Sequence, residues 1–148
     1  MGGESGANAR RAHLLSRALG IALVLTSCSS VEPRERVRKE LESAASWSAT
    51  ARMIGQMWLR DAVPTVYARR ALASTMQSLR QSEERITREA VPVAARDSIT
   101  AALAPVEAGV DAMRAAVEKG DRAAVQARLR ELDAAGERLK AMSGSAAS

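Results

Sequence analysis

Between Ile99 and Val117 apolar side chains recur in an unbroken 4-3-4-3-4 rhythm: Ile99, Leu103, Val106, Val110, Met113 and Val117. An α-helix turns once in about 3.6 residues, so these six form one stripe that must be covered by a partner surface. Strand alternation, with its period of two, does not produce that spacing. Pro105 lies inside the run, and because the rhythm continues across it the spacing predicts one kinked helix rather than two helices. The same spacing appears three more times. Val37, Leu41, Ala44, Trp47, Ala51, Ile54 and Trp58 mark a first helix from about Pro33 to Arg60, with small Ser48, Ala51 and Gly55 beside the stripe. A second helix, Thr65 to Glu89, carries Leu72, Met76, Leu79 and Ile86, with Glu83 standing where an apolar residue is expected. A fourth, Arg122 to Met142, carries Val125, Leu129, Leu132, Gly136 and Leu139.

The breaks between these segments are explicit. The residue before a proline avoids helical geometry, which separates the helices at Pro64 and Pro92. Gly120-Asp121 supplies a helix stop followed by an N-cap. Four amphipathic segments with short connections predict an all-α fold, an antiparallel up-down bundle of four helices over residues 33–142. A three-helix arrangement with a detached or bent first helix is the alternative. The terminal "SGSAAS", residues 143–148, is expected to be disordered. The composition agrees with helices: the hydrophobic fraction is 47% without a single Phe, and much of it is alanine, the best helix former.

The first 28 residues read as an address. Arg10, Arg11 and Arg17 precede an apolar run from Ala18 to Leu25, too short to span a bilayer, which needs ~20 residues. A cationic stretch followed by a short apolar one is the pattern of a secretory signal peptide, assigned to residues 1–27. Its end, Leu25-Thr26-Ser27-Cys28, resembles the lipobox of bacterial lipoproteins: an aliphatic residue, two small residues and a cysteine. The resemblance implies diacylglycerol (palmitate-type acylation) on the Cys28 sulfur, cleavage after Ser27 and acylation of the new amino terminus. Residues 28–32 then form the lipidated cysteine and a short tether. With Ser29 rather than Asp after the cysteine, the family's sorting rule points to the outer membrane, facing the periplasm.

That address narrows the chemistry. Cys28 and His13 are the only cysteine and the only histidine. With His13 in the leader and the Cys28 sulfur taken up by lipid, the remaining chain lacks the parts of a Ser-His-Asp triad, a thiol nucleophile or the usual zinc site. The hairpin "VEKGDRAAVQARLRELDAAGERL" looks like the closing hairpins of soluble four-helix b-type cytochromes, but a histidine haem ligand is absent. No cofactor is expected. The formal charge of +5 includes +2 from residues 1–27 (Arg10, Arg11 and Arg17 against Glu4), and the remaining charges are interspersed, so nucleic acid is not an expected partner. Four basic and four acidic residues between Glu32 and Glu42 exclude a polybasic lipid-binding patch there.

Three constellations remain. Glu107 and Asp111 share a helix face with Arg114 in reach and Glu83-Glu84 available from across the bundle; a solvated ion-paired patch is the expectation. Met53 and Met57, four apart, have the thioether spacing that suits Cu(I), although methionine equally fills cores. Trp47, Trp58 and Tyr67 with Arg60, Arg69 and Arg70 gather around the first turn, as a partner or ligand surface or as core bulk. The expected function is a membrane-anchored envelope lipoprotein, a non-catalytic helical adaptor that meets an envelope protein. A periplasmic carrier of Cu(I) or a small ligand, using the methionines or the bundle interior, is the alternative.

Overall fold

The computed structural model describes residues 33–145, so the leader, Cys28 and the tether lie outside the described residues. Four helices follow one another: α1 (Pro33–Leu59), α2 (Thr65–Arg88), α3 (Val93–Lys119) and α4 (Arg122–Ser145). Each packs on its sequence neighbour, and α1 also packs on α4, which closes the ring; α1 and α3 meet across the diagonal. This is the up-down bundle that the spacing predicts, with all four helices engaged.

Interhelical pairs fix the register. Between α1 and α2, Arg36 pairs with Glu89 and Arg85 with Glu40, both at 2.8 Å, so each step up α1 matches an equal step back along α2. Between α1 and α4, Arg52 pairs with Asp133, and the Ser48 hydroxyl donates to the Leu132 carbonyl at 3.0 Å. Small residues make this seam close. A Cβ built on Gly136 would lie 3.2 Å from Ser48 Oγ, and one on Gly55 3.2 Å from Leu129 Cδ2 of α4 and 2.7 Å from Met113 Sδ of α3.

The α3 stripe is buried at all six positions, with Pro105 on the exposed side of one continuous helix. The α2 stripe differs from expectation. Its inward positions are Ala68, Leu72, Thr75, Leu79, Ser82 and Ile86, the same rhythm as α3 with two hydroxyls in it. Met76 and Glu83 sit half-buried at the side. Thr75 is tolerated because its hydroxyl donates to the Ala71 carbonyl at 2.9 Å, satisfying itself within the helix.

The helix ends follow backbone chemistry. Gly120 adopts φ 72°, the left-handed geometry of a helix stop, and Asp121 N–H reaches back to the Ala116 carbonyl at 2.9 Å. The Asp121 carboxylate then accepts from Ala124 N–H at 2.9 Å and caps α4. At the end of α1 the same stop is made by Asp61, at φ 58°, with Ala62 N–H on the Met57 carbonyl. The expected disordered tail is corrected at its start. α4 continues through Ser145, and Ser143 is buried, its hydroxyl donating to the Lys140 carbonyl. Positions 146–148 lie outside the described residues.

Candidate functional site

The aromatic and basic residues around the first turn separate into structural and exposed groups. Trp58 is 6% exposed and plugs the end of the core. Its indole N–H donates to Thr65 Oγ1 at 3.1 Å, tying the end of α1 to the start of α2. Over its ring, 5.5 Å from the centroid, lies the Arg122 guanidinium from the first turn of α4. Arg122 also donates to the Leu59 carbonyl and pairs with Asp61 at 3.0 Å. One arginine therefore staples the α1–α2 turn to α4. Sequence reasoning named Arg60 in this turn and missed Arg122; the clue was that an up-down ring brings the start of α4 beside the end of α1.

Trp47 is half-buried against the core, so it supplies bulk. Arg69 pairs with Glu118 of α3 at 3.0 Å and with Arg70, Ala73 and Arg114 lines a shallow cleft of about 190 Å³. Tyr67 is 59% exposed. Arg60 and Arg70 are exposed and pair with no carboxylate among the described residues. Met53 and Met57 are exposed as well, so neither fills the core. Val66 completes the group: of the five exposed large apolar side chains among the described residues, only Val93 lies away from this elbow. The register of the α1–α2 ion pairs, continued to the turn, puts Met57 level with Ala68, the residue after Tyr67. Met57 and Met53 lie one helical turn apart on α1. The first turn and the helix ends beside it thus carry four exposed apolar side chains, with the unpaired guanidiniums of Arg60 and Arg70 nearby in the chain.

The carboxylate constellation resolves differently from its expectation. Asp111 and Arg114 form the expected pair at 2.9 Å. Glu107 does not join them; it faces Glu83 across the α2–α3 seam, and its Oε1 is buried without a hydrogen-bond partner. Burial, and then the Glu83 charge, push the Glu107 carboxyl above the ordinary glutamate range, against an opposing pull from Arg80. Among the described residues no group of three or more His, Cys, Asp or Glu is arranged to hold a metal ion. No helix among them is long and apolar enough to cross a membrane. No protein-family model, curated protein or solved structure matches the chain.

Proposed function

We propose that this protein is a lipid-anchored component of the bacterial envelope, held through Cys28 in the outer membrane and facing the periplasm. Its helical bundle works by binding a protein partner and not by catalysis. The observation that carries the binding surface is the elbow group: Met53, Met57, Val66 and Tyr67 exposed together, with Arg60 and Arg70 unpaired beside them. A monomer in water gains nothing from gathering its exposed apolar side chains in one place, whereas a partner interface does. Tyrosine and arginine are the side chains that most often anchor such interfaces. The complementary surface is apolar with carboxylates at its edge. Methionine suits the role because its flexible thioether conforms to a partner.

The anchor rests on the Leu25-Thr26-Ser27-Cys28 motif and the cationic and apolar stretches before it. The non-catalytic reading rests on the chain's single histidine and single cysteine both falling at or before residue 28. Site-specific photo-crosslinking in the native envelope tests the surface. A probe replacing Tyr67 should give one adduct that Arg70→Glu abolishes, while a probe at exposed Gln126 on α4 gives none. Equal adducts from both positions would refute the assignment. The intact mass of Cys28→Ser against the native chain tests the anchor separately.

A further inference from the structure

The two ends of the bundle differ in chemistry. At one end the turns carry Arg60-Asp61 and Lys119-Gly120-Asp121-Arg122. At the other the α2–α3 connection and the first turn of α3 read Ala90-Val91-Pro92-Val93-Ala94-Ala95, six residues without a polar side chain. Five of the six are exposed, Val93 to 69%, and Val91 is half-buried. Surface turns are ordinarily polar because their backbone groups face water. Beside this turn opens a groove of about 470 Å³, walled chiefly by Val37, Leu41, Val91, Ile99 and Met142, with Arg34, Ser98 and Ser145 also in its lining. That volume is within the ~300–1,000 Å³ of ligand clefts. Of the neighbouring charges, Glu89 accepts from Arg36 at 2.8 Å, Arg96 donates to the Glu89 carbonyl at 3.2 Å, and Arg34 is exposed at the rim of the groove. This end can meet an apolar medium with its long arginine side chains carrying their guanidiniums up to the headgroup level.

The chain emerges from this same end, at Pro33. Cys28 is five residues upstream, a contour of at most ~18 Å however those residues run. We infer that the Val91–Val93 turn and its groove form a membrane-contacting tip, which dips into the lipid interface and seats acyl chains. The inference rests on the lipid-anchor reading, because the tether length is what sets the bilayer beside this end. Contact is apolar rather than electrostatic, since the flanking Glu32–Glu42 segment is charge-balanced. It is therefore insensitive to salt and to the fraction of anionic lipid.

Lipidation of Cys28 would leave no free thiol, so a cysteine placed at Val93 can be labelled alone. The lipidated Val93→Cys chain, carrying an environment-sensitive fluorophore, is reconstituted in phosphatidylcholine vesicles with chain-attached quenchers. Lys119→Cys, ~40 Å away at the far end of α3, is the control. A tip buried ~5–10 Å into the interface gives several-fold stronger quenching at position 93 than at 119, unchanged by salt. Adding Val91→Asp should reduce it towards the control. Equal quenching at 93 and 119 overturns the inference and leaves the anchor intact. If intact mass shows no lipid on Cys28, the anchor reading fails, and the same comparison is made in a Cys28→Ser background. Preferential quenching at 93 there sustains the tip, and its absence overturns it.

Discussion

Gly109→Ala tests how closely α3 and α4 approach. A Cβ built there lies 2.9 Å from Leu132 Cδ2 and 3.2 Å from its Cγ. Carbon atoms in comfortable contact sit ~3.5–4.0 Å apart. Leu132 is fully buried, and Cγ is its branch point, so turning a methyl away does not relieve the overlap. The helices must separate or the leucine must leave its rotamer, at ~1–3 kcal/mol for overpacking. Alanine returns ~1 kcal/mol of helix propensity over glycine. The expected net loss is about 0–2 kcal/mol. Gly144 provides the contrast: nothing lies within 4 Å of its Cβ direction, so Gly144→Ala should stabilise by up to ~1 kcal/mol. Urea denaturation of the full chain carrying Cys28→Ser, followed by far-UV circular dichroism, reads both. Leu132→Ala alone should cost ~2–5 kcal/mol, and Gly109→Ala should partly fill the resulting gap. The double variant should then be more stable than the two single losses add up to. If Gly109→Ala stabilises as much as Gly144→Ala, or if the pair is additive, the close α3–α4 contact is wrong.

Three further expectations concern the rest of the molecule. Glu107 is raised by burial and by Glu83, so the native state binds its proton more tightly than the unfolded chain does. Its favourable contribution is full below the ordinary glutamate value and is lost as pH rises through the higher native one. Glu107→Gln should therefore raise the melting temperature at neutral pH and change little in acid; the reverse pattern would contradict the buried Glu83–Glu107 contact. Glu35 and Glu137, held low by Arg38 and Lys140, have the opposite sign, and solvent screening at these surface pairs keeps their contribution small. Arg122→Ala removes the Trp58 and Asp61 contacts and should cost ~1 kcal/mol, with a change in tryptophan fluorescence. Tyr67→Ala, at an exposed position, should shift stability by less than ~0.5 kcal/mol while weakening partner crosslinking, so a large loss of stability would reassign Tyr67 to the core.

Where apolar side chains fill the inward positions, the helices are legible from spacing alone, as in α3. The α2 stripe is harder to see because Thr75 and Ser82 occupy two of its six positions, so spacing points instead to Met76 and Glu83, one residue further on. Hydroxyls also concealed the last turn of α4, where Ser143 and Ser145 bond back to the Lys140 and Met142 carbonyls. The composition of a flexible tail and that of a self-capped helix end are alike. The Gly120-Asp121 stop was legible because its chemistry is local. Arg122 over Trp58, and Glu107 against Glu83, depend on which helices become neighbours, which spacing within one segment does not encode.

The two hydroxyls inside α2 make the bundle unequal. Where α3 faces inward with Ile99, Leu103, Val106, Val110, Met113 and Val117, α2 offers Ala68, Thr75 and Ser82 among its six. Detaching α2 thus exposes less apolar surface than detaching α3, and it leaves intact the contacts that α1 and α4 make with each other and with α3. Amide protons of α2 should exchange with solvent through a partial opening, ahead of those of α1, α3 and α4. In that open form the elbow group comes apart, because Val66 and Tyr67 leave with α2 while Met53 and Met57 stay on α1.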